Sequence, residues 1–100
     1  MTEKFFAMIG LAKRANRIVI GEDRIKSDIK LKKAELVIIA NDTSDNTKKS
    51  IENSCKYYNV KYIVAGDKET LGKSIGKDFC AAVSINDKNF AKAISEKINQ

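Results

Sequence analysis

One hundred residues with 43% apolar side chains make a single domain (residues 1–100) with its own core, and exclude a disordered tail. The formal charge of +6, from 19 basic and 13 acidic residues, favours a polyanionic partner such as nucleic acid or an acidic membrane face. With no histidine and only two well-separated cysteines, Cys55 and Cys80, a zinc site is excluded, and neither a metal nor a cofactor is expected.

Along the chain, Thr2 can cap a first helix running to about residue 16, with Phe5, Ile9 and Ala12 on one stripe and Met8, Leu11 and Ala15 beside it. Residues 17–20 read as a short strand that Gly21 breaks. A second helix over about residues 23–32 turns Ile25 and Ile29 inward. Residues 36–40, Leu-Val-Ile-Ile-Ala, form a continuous apolar run, which marks a central strand covered on both faces. The capping residues Asn41-Asp42-Thr43-Ser44 lead into a third helix over 45–58, which aligns Ile51, Cys55 and Tyr58 and stops at Asn59. A third strand over 60–64 turns at Ala65-Gly66, and Asp67 caps a fourth helix carrying Leu71 and Ile75 that ends at Gly76. Residues 79–85 read as the last strand, and Asn86 or Asp87 caps a last helix with Phe90, Ile94 and Ile98 on one stripe. Strict alternation of helix and strand implies an α/β sandwich, a sheet between two helical layers. Met1-Thr2-Glu3-Lys4 opens without a signal peptide and no apolar run reaches spanning length, so the chain reads as cytoplasmic with no membrane partner.

Catalytic and nucleotide-binding patterns are weak. Gly66–Ser74, GDKETLGKS, separates its glycines by five residues where a phosphate-cradling loop needs four. Gly21 has no further glycines behind it for a dinucleotide fingerprint. Glu22/Asp23 and Asn41/Asp42 could form an acid/base site, but helix capping and the helix dipole account for both pairs. The chain therefore reads as a non-enzyme, and a small-molecule site of flavodoxin-like type would need a closed pocket at the strand ends.

Charge is concentrated. Residues 13–33 hold eight basic side chains (Lys13, Arg14, Arg17, Arg24, Lys26, Lys30, Lys32, Lys33) and three acidic ones (Glu22, Asp23, Asp28), which is +5 of the chain's +6. Gly21 allows close backbone approach, and the start of the second helix offers free N–H groups. Lys26, Lys30 and Lys33 share a helix face at spacings of four and three. Lys13, Arg14 and Arg17 can extend a basic rim around this turn. A solvated charged face is the plain alternative. The acidic pair Glu22/Asp23 cannot contact phosphate favourably, but it can accept hydrogen bonds from base N–H groups exposed in unstacked or non-standard RNA pairs.

Several spaced fragments resemble the kink-turn RNA-binding ribosomal protein family of the L-seven-Ae type, and in particular its small bacterial members. They are Leu11-Ala12-x-Arg14-Ala15, Gly21-Glu22-Asp23, Ala34-x-Leu36-Val37-Ile38-Ile39-Ala40-x-Asp42, Val60-x-Tyr62 and Leu71-Gly72-Lys73-x-Ile75-Gly76-Lys77. The resemblance implies a three-layer α-β-α sandwich with a mixed four-stranded sheet. It also implies a monomer that binds structured RNA, ribosomal RNA by family, at sharply bent elements with sheared G·A pairs. By position it implies contacts from Gly21, Glu22, Asp23, Arg24, Lys26 and Ser27, from Asn41 and Asp42, and from Ala65 and Gly66 against an extruded nucleotide. The family pattern Gly-x-Asn-Glu-x-x-Lys stands here as Gly21-Glu22-Asp23-Arg24-Ile25-Lys26-Ser27, so Asp23, Arg24 and Ser27 depart from it. Those departures motivate the alternative of a ribosome-associated protein-interaction module with lost or altered kink-turn binding.

Overall fold

The computed structural model describes residues 3–98, so the expected Thr2 cap lies outside the described residues. Nine elements alternate: α1 (Glu3–Arg14), β1 (Ile18–Ile20), α2 (Glu22–Lys30), β2 (Leu36–Ile39), α3 (Asp45–Tyr58), β3 (Tyr62–Val64), α4 (Lys68–Ser74), β4 (Ala82–Ile85) and α5 (Lys88–Glu96). The strands lie in the order β1-β4-β2-β3. The β2–β3 pair is parallel, whereas β4 runs antiparallel to both β1 and β2, so the sheet is mixed.

The two faces are filled separately. Leu36, Ile38 and Ala40 pack with Phe5 and Ile9 of α1, Leu71 of α4 and Ile94 of α5. Val37 and Ile39 point the other way, onto Ile25 and Ile29 of α2 and Ile51 and Cys55 of α3. This explains the continuous apolar run at 36–40. Period-two alternation sends neighbours to opposite faces, and both faces are dry. Each such fully buried Ile or Leu contributes about 1.5–3 kcal/mol relative to exposure.

Several expected boundaries move, each for a local reason. The strand expected over 79–85 begins only at Ala82, and Phe79 is 68% exposed. Residues before Ala82 instead fold back on α4, with Lys77 N–H donating to the Gly72 carbonyl and Cys80 N–H to that of Lys68. Val60 N–H closes the end of α3 on the Cys55 carbonyl, so β3 starts at Tyr62 rather than 60. The helix expected to 32 ends at Lys30, and Lys32 takes a left-handed φ of 60°. Lys33 therefore lies beyond α2 rather than on its face. On α1, Leu11 and Ala15 are exposed although the main stripe is buried.

Both cysteines are buried free thiols. Burial, helped by the nearby Glu52 carboxylate, pushes the Cys55 thiol up to about 11, and burial also raises Cys80. A higher thiol pKa means less thiolate at any pH below it, so at pH 8 Cys55 carries about a hundredfold less thiolate than an ordinary cysteine. We expect a charged thiol reagent to label the native protein at least a hundredfold more slowly than the denatured chain. Native labelling at the denatured rate would show that the thiols are accessible.

Candidate nucleic-acid interface

Strand register sets two ends of the sheet. Ile20, Ile39 and Val64 finish β1, β2 and β3 beside the start of β4, at Ala82 and Val83. Gly21, Asn41-Asp42 and Ala65-Gly66 follow these strand ends, so three loops separated in sequence share one edge, here the upper end. Two hydrogen bonds tie the latter pair together. Asn41 N–H donates to the Gly66 carbonyl at 2.7 Å, and Lys68 N–H donates to Asp42 Oδ1 at 2.8 Å. Asp42 thus braces the start of α4 as well as following the central strand.

The opening of α2 is the most open part of this edge. Gly21 is its N-cap at φ 97°, and it supplies no side-chain acceptor to the first helical N–H groups. A Cβ at Gly21 would meet nothing within 4 Å, so the backbone there is approachable from outside. Asp23 and Arg24 are exposed and Glu22 is half-buried. By contrast, Ser44 caps α3 through Thr47 N–H and Asp67 caps α4 through Thr70 N–H. The bond from Thr70 N–H, with the Thr70 side chain, holds the Asp67 carboxyl below the usual carboxylate range.

The structure adds a fourth segment that sequence reading placed inside a strand. Phe79, Cys80 and Ala81 arrive at the same edge, and with Gly21, Glu22 and Thr47 they frame a pocket of about 190 Å³. Phe79 projects into solvent beside it. Amphipathic periodicity could not reveal this ring, because a lone phenylalanine before an apolar run reads as the run's first residue.

The basic rim does not assemble around Gly21. Arg17 precedes β1, which places it about 13 Å of extended chain below Gly21. It lies instead 3.8 Å from Asp87 at the start of α5. Lys13 and Arg14 end α1 at that lower end, and Lys30 sits about 12 Å along α2 from Glu22. Lys33 follows Lys30 there. Lys26 donates to Ser50 Oγ on α3 at 2.8 Å, and Ser27 lies further along the same helix. Of the expected basic side chains, only Arg24 stands exposed at the upper edge.

The charge balance follows. The upper segments (21–24, 41–45, 65–69 and 78–81) hold seven acidic and two basic residues. The lower ones (13–17, 30–35, 56–61 and 86–88) hold nine basic and two acidic residues. Sequence proximity made one patch of charges that the fold sends to opposite ends.

Among the described residues, no group of three His, Cys, Asp or Glu side chains is placed to hold a metal ion. No described helix is long and apolar enough to cross a membrane. A groove of about 840 Å³ lies between α1 and α4, over Phe6, Ala7, Gly10 and Leu11, and runs from Thr70 to Arg14.

Known proteins share both the sequence and this architecture. The RNA-binding protein YlxQ of Bacillus subtilis is 37% identical over 91 residues, 91% of each chain. The YlxQ protein of Enterococcus faecium is 36% identical over 96 residues, 96% of this chain and 92% of that one. A Bacillus halodurans protein of unknown function superposes with a TM-score of 0.94 at 27% identity, covering 99% of this chain and 100% of the other. The Giardia lamblia 15.5 kD RNA binding protein superposes with a TM-score of 0.77 over 96% of this chain and 86% of its own, and at 22% identity that likeness concerns the fold alone. The sequence profile of one family spans residues 3–95, from the first turn of α1 almost to the end of α5, so the chain belongs to the ribosomal protein L7Ae/L30e/S12e/Gadd45 family.

Proposed function

We propose that this protein binds structured RNA, without catalysing a reaction on it, at the upper end of the sheet. The observation that carries the reading is the convergence of the Gly21, Asn41-Asp42 and Ala65-Gly66 loops beside the uncapped start of α2. That both YlxQ relatives are RNA-binding proteins supports it. With few cations at this edge, most of its contacts are to bases. Free N–H groups of α2 donate, the Glu22 and Asp23 carboxylates accept from exposed base N–H groups, and Phe79 stacks on an unpaired base. Such recognition suits a sharply bent RNA that exposes base edges, as ribosomal RNA does at kink-turns, better than a regular duplex. Asp23, Arg24 and Ser27, where the family pattern has Asn, Glu and Lys, alter how sheared G·A pairs are read.

A titration of the whole protein against a kink-turn RNA and a straight duplex of equal length, at two salt concentrations, tests this. We expect preference for the bent RNA, only weakly salt-dependent, and about a tenfold loss of affinity in Phe79→Ala, within the range measured for a single stacked base. Equal affinity for both RNAs would sink the base-reading mechanism. Absence of binding to either would favour a second reading, a ribosome-associated protein-interaction surface, which the acidic balance of this edge and the exposed Phe79 ring would also suit.

A further inference from the structure

We propose that the lower end of the sheet is a second RNA-binding surface, one that takes a single-stranded segment through phosphate contacts and a stacked base. Four observations converge there. The lower connections carry nine basic residues against two acidic ones, the reverse of the upper edge. A groove of about 430 Å³ opens between the end of α2 and the end of α3, and Lys32, Lys61, Tyr58 and Asn59 are among the residues that line it. Tyr57 is 82% exposed and packs edge-on against Tyr58, with ring centroids 4.8 Å apart, so an accessible aromatic face adjoins the groove. Lys32 is held in a left-handed backbone conformation at φ 60°, where glycine or asparagine is less strained. Asn59 occupies the matching position at the end of α3, with φ 58°. The turn at Lys32, closed by Lys33 N–H on the Asp28 carbonyl, sets that lysine at the lip of the groove.

The chemistry selects single-stranded RNA. Two lysines lining one groove neutralise nearby phosphates, and each neutralised phosphate releases bound counterions. A flat, accessible tyrosine stacks on any unpaired base, which a duplex does not offer. Glu35 is the one carboxylate lining the groove, and it supplies an acceptor for a base amine rather than for phosphate. Arg17 and Lys33 extend the positive field beyond the groove on the same end. This surface does not depend on the upper edge, and strand length alone separates the two. A protein using both would hold a folded element at one end and a flanking single strand at the other.

The test uses the full chain and a mixed-sequence 12-nucleotide single-stranded RNA. Lys32→Gly relieves the backbone while removing the charge, so with Lys61→Ala it gives a variant expected to fold, checked by thermal unfolding. We expect this pair to lower affinity about tenfold and to reduce the slope of log affinity against log salt by about 1.4, at roughly 0.7 per lost contact to a single strand. Tyr57→Ala should lower affinity about tenfold without changing that slope, because stacking releases no counterions. Amide shifts on adding the RNA should fall on residues 32–35 and 57–61. Unchanged affinity and slope in the lysine variant, or shifts confined to residues 21–24 and 78–81, would overturn the proposal. Arg24→Glu with Phe79→Ala separates the two surfaces. It should abolish the preference for bent RNA yet leave binding of the single strand intact. Loss of single-strand binding in that variant would assign all the RNA to the upper edge.

Discussion

Replacing Gly66 with alanine is expected to destabilise the protein by about 3 kcal/mol, and the cost has two separable parts. Gly66 sits at φ 68°, and a residue with a Cβ pays about 1–2 kcal/mol there. The added methyl would also fall 2.6 Å from Cζ of Phe6, well inside contact distance. Phe6 packs edge-on against the fully buried Phe5 with ring centroids 5.1 Å apart, so the ring can withdraw only by leaving that contact for the groove between α1 and α4. Forcing it aside adds about 1–3 kcal/mol of overpacking. The Gly66 carbonyl accepts from Asn41 N–H, so the same change shifts the β3–α4 loop against the β2–α3 loop and spoils the upper edge. Denaturant unfolding measures the loss. The background variant Phe6→Leu should recover the steric part of the Gly66→Ala cost and leave the conformational part, a coupling that a double-mutant cycle reads directly. A cost below about 1 kcal/mol in the wild-type background would mean that loop and ring move apart freely, and that the upper edge is less rigid than its hydrogen bonds imply.

The fold was legible where one residue pattern had one explanation. The run at 36–40 is apolar without a break because both faces of β2 are covered, and no exposed element needs such a run. Ser44, Asp67 and Asp87 each cap a helix as their residue types suggest, and Asn59 stops α3 in the left-handed conformation that asparagine tolerates. The candidate edge was legible in part. Its three loops follow strand ends, which alternation of helix and strand already places together. Its electrostatics were not. Lys13, Arg14, Arg17, Lys30 and Lys33 are near Gly21 in sequence, but β1 carries the chain the length of the sheet between the first three and Gly21, and α2 carries it back before Lys30 and Lys33. Charge density along a sequence becomes charge density in space only within a loop or on one turn of a helix. Across a strand or a whole helix it is redistributed by about 10 Å or more. Phe79 was missed for a related reason. Gly72 lies against the backbone of Asp78 and Phe79, with an added Cβ falling 2.8 Å from Phe79 N, and this close approach holds residues 77–81 on α4 rather than in the sheet. Only the tertiary contact decides that.

The buried pair Asp28 and Ser84 carries the second large expected effect. Sequence reading counted Asp28 as one of three acids diluting a basic stretch, yet it is 7% exposed and faces the sheet. Ser84 Oγ, fully buried on β4, donates to Asp28 Oδ2 at 3.0 Å across 56 residues of sequence. The Asp28 carbonyl also accepts from Lys33 and Ala34 N–H, which closes α2 before β2 begins. Asp28 therefore pins α2 to the sheet through its side chain and ends the helix through its backbone. Ser84→Ala removes the only hydroxyl on the described inner face of β4 and leaves a buried carboxyl oxygen without that donor. A hydrogen bond to such a group is worth about 1.5–3 kcal/mol, and we expect a loss near 2 kcal/mol. Asp28→Leu alone strands the Ser84 hydroxyl and should cost a similar amount. The double variant replaces both partners by apolar groups, so it should cost less than the sum of the two, with a coupling of about 1–2 kcal/mol. Strict additivity would mean that the bond contributes nothing and that α2 is held by Ile25 and Ile29 alone. Since α2 opens at Gly21, Ser84→Ala should also speed amide exchange at its lower, C-terminal turns before its first turn. Faster exchange at residues 22–25 first would place the anchor of the helix at the upper edge, not at Asp28.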